Sequence, residues 1–316
     1  MRRYLARRLL LAVPTLLGVT VVVFAAVALV PGDPVATLLG PGAPAEARER
    51  LTERLGLGEP LPVRYGHWLR HALQGDLGVS ISAQRPVGEL LLPALGHTLV
   101  LTGAAFLLVL TGGTLLGALG AARPDGAGAR LSRTLSTLAV SAPQYSVALL
   151  FIAVFAVGLR WFPAGGTQDV FAGGGTADRL HHLVLPAVAA ALVPLGLTAR
   201  VFGAALGAVL RSDLADGLRA RGLRRPAVLR HCVHNASPAL LTIGGLQLAY
   251  LLEGVVFVET LFAWPGVGRL LYDALTARDL PLIQAGVLLV AVAFVGVNIL
   301  VDTAHALVDP RLRGAL

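Results

Sequence analysis

The chain has 316 residues, of which 55% are hydrophobic and only 14% charged, and that leaves too little charge to cover a soluble fold of this length. Its net charge of +8 does not mark a nucleic-acid binder, because the arginines flank apolar runs and aromatics do not interleave with them. One cysteine, Cys232, excludes an intrachain disulfide.

Six segments are long enough to cross a bilayer core of about 30 Å, which needs about 20 helical residues. In chain order they are Leu9–Val30, Thr98–Ala121, Leu135–Leu159, Leu183–Leu206, Ala239–Phe257 and Leu282–Leu307. The first follows MRRYLARR and is too long for the apolar region of a signal peptide, so it reads as an uncleaved anchor. The expected organisation is an anchor over 1–30, an external loop region over 31–97, and a core over 98–316 with five spans and a cytoplasmic loop at 206–238.

In the external region, Ala45–Leu55 (AEARERLTERL) reads as a charged helix and Pro62–Leu73 as an amphipathic one. Ala172–Thr176 (AGGGT) reads as an external turn, since no lysine follows that would make it a phosphate cradle. Gly113 and Gly117 have the small-xxx-small spacing that lets two spans approach closely. Arginines at 2, 3, 7 and 8, at 123, 130 and 133, from 211 to 230, and at 311 and 313 put both termini on the cytoplasmic side.

The Arg211–Arg230 cluster belongs to Ser212–Pro238, SDLADGLRARGLRRPAVLRHCVHNASP, a polar stretch between two apolar segments. Leu210, Leu214 and Leu218 fall on one helical face, Gly222 breaks that helix, and Pro226 suits the first turn of a second helix ending near His234. A charged helix–glycine–helix at the membrane surface is a candidate docking site for a soluble partner. Arg219 and Arg221 are expected to make polar contacts at its rim.

Glu253 is an ionisable group inside a span, which by default marks function. It could line a pathway or bond a partner. His231 and His234 share a helical face, and His181-His182 precedes the fourth span. Both pairs lack further ligands at metal-binding spacing, so helix-end polar contacts are expected of His231 and His234, an interfacial anchor of His181-His182, and no metal site of either. The arginine count accounts for every basic residue, and without lysine the ATP-binding pattern G-x-x-x-x-G-K cannot be written. No catalytic constellation is found.

Several motifs occur together and in order: Pro31-Gly32-Asp33-Pro34, PLPVRYGHWLRHALQGDLGVSI at Pro60–Ile81, Ser141-Ala142-Pro143, Trp161-Phe162-Pro163 with Gly165, ETLFAWPGVGRL at Glu259–Leu270 followed by Arg278, Asp279 and Pro281, and Asp309-Pro310-Arg311. With Ser212–Pro238 they make the chain resemble the permease subunits of bacterial ABC importers of the dipeptide, oligopeptide and nickel type. The resemblance implies an all-α integral membrane protein of the bacterial inner membrane, with six transmembrane helices, a MetI-like type I importer architecture and cytoplasmic termini.

It further implies that Ser212–Pro238 engages an ATPase. Asp213, Arg219, Ala220, Gly222, Leu223, His231, Asn235 and Pro238 stand at matching positions, whereas Leu214 replaces a common aromatic, and Gly217 and Leu218 replace small or hydroxyl residues. The implied partners are a second permease, two cytoplasmic ATPase subunits and an external substrate-binding protein. ATP and magnesium would sit on the ATPases, with no cofactor on this chain. Glu253 and Glu259 are the candidate pathway or partner-contact residues. A stand-alone ion-coupled carrier and a membrane enzyme are the rival classes. The first would need carboxylates in several spans, and the second a catalytic group.

Overall fold

A computed structural model of the protein describes residues 2–29, 35, 39–40, 42–54, 58–169 and 174–308. The motifs at 31–34 and 309–311, and Val30, Leu55, Ala172 and Gly173 of the expected elements, lie outside the described residues.

The fold is helical, with one isolated β-bridge (Val79 to Pro86) among the described residues. The helices are α1 (Arg2–Leu29), α2 (Ala45–Arg54), α3 (Leu61–Leu73), α4 (Val87–Ala122), α5 (Ala127–Ser141) and α6 (Gln144–Phe151), which runs into a π-helical stretch at Ile152–Gly158. They continue as α7 (Thr176–Leu210), α8 (Asp213–Ala220), α9 (Arg225–Leu261), α10 (Val267–Thr276) and α11 (Leu280–Val308). Among the described residues, α1, α4, α7, α9 and α11 are long and apolar enough to cross a membrane. The pair α5 and α6 counts as a sixth span only if its two bent parts are taken together.

Three expectations need correction. The third expected span, Leu135–Leu159, is not one helix: its two parts meet at 103°. Pro143 is the cause, because its ring drives the preceding residue out of the helical region. Ala142 is accordingly extended (φ −91, ψ 131), and Pro143 then caps α6. Second, the helix that starts near Pro226 does not stop at His234; it continues through Pro238 to Leu261 as a single 37-residue element. A proline inside a span is tolerated where neighbouring helices re-satisfy the freed carbonyl. Third, α4 and α7 begin 11 and 7 residues before the apolar segments expected at Thr98 and Leu183, because polar residues at their starts continue the same helix.

The chain divides into two compact units. The larger is built on Leu95–Arg269. Its core is a cluster in which Leu101, Ala105 and Val109 meet Leu185 and Ala189–Ala191 of α7 and Leu251, Val255 and Val258 of α9. Glycines set how closely α4 and α7 cross. A Cβ at Gly117 would lie 2.7 Å from the Ala199 carbonyl oxygen and 3.0 Å from the Gly203 nitrogen, and one at Gly113 would lie 2.8 Å from Thr198. Here the small-xxx-small spacing does place two backbones in contact. Gly117→Ala should therefore force the helices apart at a cost of about 1–3 kcal/mol. A thermal-unfolding scan in detergent checks this, and an unchanged midpoint would sink it.

The smaller unit is built on Ala6–Ala94 with Leu270–Val295. In it, α3 packs across α1 through aromatic rings, with Phe24 lying 5.4 Å from Tyr65 and 6.0 Å from Trp68 between centroids. Thr20 Oγ1 and the Tyr65 hydroxyl share a 2.8 Å hydrogen bond.

Candidate functional site

The candidate docking segment is built from α8, the end of α7 and the start of α9. Ser212 is extended and precedes α8, Asp213 and Asp216 fill the first turn, and Arg219 lies in the last, an order that complements the helix dipole. Gly222 then turns the chain with φ +78. Its N–H donates to the Arg219 carbonyl (2.9 Å), and the Leu223 N–H donates to that of Leu218 (3.3 Å). This pair of bonds is the Schellman ending, in which glycine supplies the left-handed residue. A Cβ at Gly222 would stand in open space, so the backbone angle, and not a clash, is what requires glycine.

Beneath α8 lies a small core of Phe202, Leu206, Ala215, Val228, Cys232 and Ala236, with Leu210, Leu218 and Leu223 packed on it. Leu210, Leu214 and Leu218 therefore do not form one face of a single helix, as their spacing suggested. Leu210 ends α7 and is not part of α8, and Leu218 and Leu223 serve the chain's own core. Leu214 points outward, 42% exposed, among the exposed Asp213, Gly217, Ala220, Arg221 and Gly222. Arg219 is also committed within the chain: it bonds Asp216 at 2.7 Å and the Leu210 carbonyl at 3.2 Å, tying α8 to the end of α7. His231, Asn235 and Pro238 lie along α9 outside that core, and Asn235 Nδ2 donates to the His231 carbonyl at 3.1 Å. Cys232, between them, is fully buried.

A second constellation is centred on the ETLFAWPGVGRL motif, whose local sequence does not show what Glu259 bonds. Glu259, expected to face a pathway or partner, is wholly enclosed in this chain. Thr98 Oγ1 donates to its Oε1 at 2.6 Å, and the N–H groups of Gly268 and Arg269 donate to its Oε2 at 2.7 and 3.3 Å. Thr98 Oγ1 also accepts the Val267 N–H at 2.8 Å. A carboxylate and a hydroxyl from two spans thus satisfy the first-turn donors of α10, which otherwise have no intrahelical partners. Gly266 and Gly268 are required beside it, since a Cβ at Gly266 would fall on the Glu259 carboxylate. Trp264 Nε1 donates to the His97 carbonyl at 3.0 Å and holds the same junction.

The smaller unit repeats the device. Asp279 is fully buried. It accepts the Leu282 N–H on Oδ1 at 3.3 Å, capping α11, and on Oδ2 it accepts Ser80 Oγ (2.5 Å), Ser82 Oγ (2.7 Å) and the Ser82 N–H (2.9 Å). Burial pushes its carboxyl up, but the hydrogen bonds from Ser80 and Ser82 outweigh that and hold it below the usual 3.8.

Glu253 contrasts with both. It is exposed on α9, and no described residue pairs with it. The histidines at the start of α7 are occupied by ordinary contacts. His182 Nδ1 lies 3.0 Å from the Asp178 carbonyl and 3.2 Å from its carboxylate, and His181 Nε2 lies 2.8 Å from the Trp161 carbonyl. Among the described residues no group of three or more potential ligands could hold a metal. Arg200 donates to Thr137 Oγ1 at 2.9 Å.

Comparison with known proteins supplies the family. Residues 113–314 match the model of the binding-protein-dependent transport system inner membrane component, and residues 1–102 match that family's N-terminal membrane component. The chain is 36% identical to the dipeptide transport system permease protein of Alkalihalophilus pseudofirmus over 332 residues, covering 99% of this chain and 100% of that one. It is also 36% identical to the glutathione transport system permease protein of Salmonella typhimurium (99% of both chains). The probable peptide ABC transporter permease of Sinorhizobium fredii is similar at 36%, covering 98% of this chain and 99% of that one. Full-length matches together with several membrane-length helices lead to one conclusion. The chain belongs to the inner-membrane components of binding-protein-dependent transport systems and is a multi-pass ABC permease.

Proposed function

We propose that the chain forms part of the translocation path of an ATP-driven importer for di- or oligopeptides, with nickel complexes or other small solutes as the alternative cargo. The support is the family, the names of the relatives and one observation: α8 presents an outward leucine on a helix fixed at both ends to the membrane core. A soluble ATPase that closes on ATP can push such a helix, and the helix passes the movement to α7 and α9 without bending. In this reading α8 and both termini face the cytoplasm, as the arginine balance favours.

Two ATPase subunits carry the ATP and magnesium, since a chain without lysine has no nucleotide loop of its own. A second permease completes the path, and a substrate-binding protein docks outside on the 31–97 region and the Glu259–Asp279 loop. Within the former, Asp76, Arg85, Glu89 and Leu92 line an open groove. No catalytic residue and no cofactor is assigned to this chain. An ion-coupled carrier would share the broken helix at Pro143, yet residues 127–158 contain no carboxylate to bind a coupling ion.

Leu214→Arg tests the docking role without touching the core, because that side chain is exposed. Expressed with its neighbouring genes and purified in mild detergent, the native chain should bring ATPases with it. The variant should retain the second permease and recover about tenfold less ATPase. Equal recovery of ATPase by both chains would remove α8 from the interface.

A further inference from the structure

The outward face of α9 carries a feature that the coupling mechanism does not use. Leu246, Tyr250, Glu253 and Phe257 are all exposed, and at 100° per residue they fall within about 60° of one another. The opposite side of the same helix, Gln247, Leu251, Val255 and Val258, is buried in the chain's own core. Glu253 therefore stands in the middle of an apolar and aromatic stripe, eight residues, or about 12 Å of helix, before the end at Leu261. No described residue supplies it with a hydrogen bond or an ion pair.

Three surroundings are open to such a carboxylate. Lipid is the most costly, because a charge in hydrocarbon loses its hydration and gains nothing in return. A contact with another protein requires that partner to deliver a cation or several hydrogen-bond donors, as Thr98 and the first N–H groups of α10 do for Glu259, and a second copy of this chain would bring its own carboxylate to the same stripe. A water-filled path leaves the group hydrated and needs no partner while the path is empty. The carboxylate then meets a cation only when cargo arrives, and dipeptides, longer peptides and glutathione all carry an α-ammonium group.

We propose that Glu253 lines the translocation path and receives the α-ammonium, or another cationic group, of the passing peptide, with Tyr250 and Phe257 flanking it. The contact is a transient one: a single carboxylate in water attracts an ammonium without holding it, which suits a site that must release its cargo onward. This inference rests on the importer reading above.

The test reads charge selectivity in the assembled complex. Tyr250→Cys places a thiol one turn from Glu253, and the buried Cys232 of the unmodified chain sets the background. The thiol is treated in membranes with a cationic and an anionic methanethiosulfonate reagent of similar size, with Glu253 intact and with Glu253→Gln. The expected result is faster reaction with the cation, and a cation-to-anion rate ratio that falls about tenfold when Glu253 is neutralised. Leu246→Cys repeats the measurement on the same stripe should the first variant be recovered poorly.

A thiol that neither aqueous reagent reaches in the complex, but both reach in the isolated chain, would place the stripe against a partner permease and overturn the proposal. Reaction only with a membrane-permeant maleimide would place it in lipid and overturn the proposal as well. Equal rates for both charges, unaffected by Glu253→Gln, would leave a wet path without cation recognition, which also contradicts it. ATPase recovery from the same preparation separates the two levels. ATPases present with an unchanged ratio sink only the Glu253 assignment, whereas their absence sinks the importer reading beneath it.

Discussion

Glu259→Ala should lower the stability of the chain by about 3 kcal/mol, a large effect for one side chain. The substitution leaves the Thr98 hydroxyl and the Gly268 and Arg269 N–H groups without their acceptor in a site that excludes water. Each orphaned donor costs about 1–3 kcal/mol, and relaxation of the loop keeps the total below their sum. In a detergent thermal scan the midpoint should fall by about 6–12 °C, given 2–4 °C per kcal/mol for a domain of this size. Thr98→Ala should cost less, and the double variant should cost clearly less than the two single variants added together, because both act on one cap. Additive costs, or a midpoint within a degree of the native chain, would show that the carboxylate does not hold α10. Glu259→Asp is also informative: a carboxylate one methylene shorter keeps the charge but falls short of the donors, so it should recover only part of the loss.

Asp279→Asn should also destabilise, by about 2 kcal/mol, and its effect should depend on pH. The folded-state carboxyl sits below its ordinary 3.8, so it gives up its proton more readily folded than unfolded. Its contribution is then fully present above about pH 5 and is lost as pH falls through the lowered value. The gap between native and Asp279→Asn midpoints should be constant from pH 8 to about 5 and should narrow in acid. A gap that widens below pH 4 would contradict the assignment of Ser80 and Ser82 as donors to an ionised Asp279. Ser80→Ala should reproduce part of the loss at neutral pH.

Much of the architecture was legible in the chain itself. Long apolar runs such as Leu9–Val30 and Leu282–Leu307 return as α1 and α11 because a backbone in hydrocarbon must satisfy its own hydrogen bonds, and only a helix does so within one segment. The glycine at 222 was legible as a helix stop, and Pro226 as a helix start, because both act through their own backbone. Gly113 and Gly117 were legible as a close approach, though not as an approach to Ala199 and Gly203 in particular.

What depended on distant partners was not legible. Leu210, Leu214 and Leu218 share a periodicity, yet the chain stops α7 at Leu210 and turns Leu218 inward, leaving Leu214 outside. Glu259 and Glu253 are both glutamates in one apolar stretch. Thr98, 161 residues away in sequence, helps the first turn of α10 to enclose the first, whereas the second lies exposed on the outward face of α9. Asp279 likewise gains its role from Ser80, 199 residues distant. Sequence by itself determined most of the long apolar helices and their membrane character, since these follow from local hydrophobicity and backbone preference. Tertiary structure alone decided that Glu259 and Asp279 are structural caps while Glu253 stays exposed, because burial and hydrogen-bond partners come from chain segments that no local pattern relates.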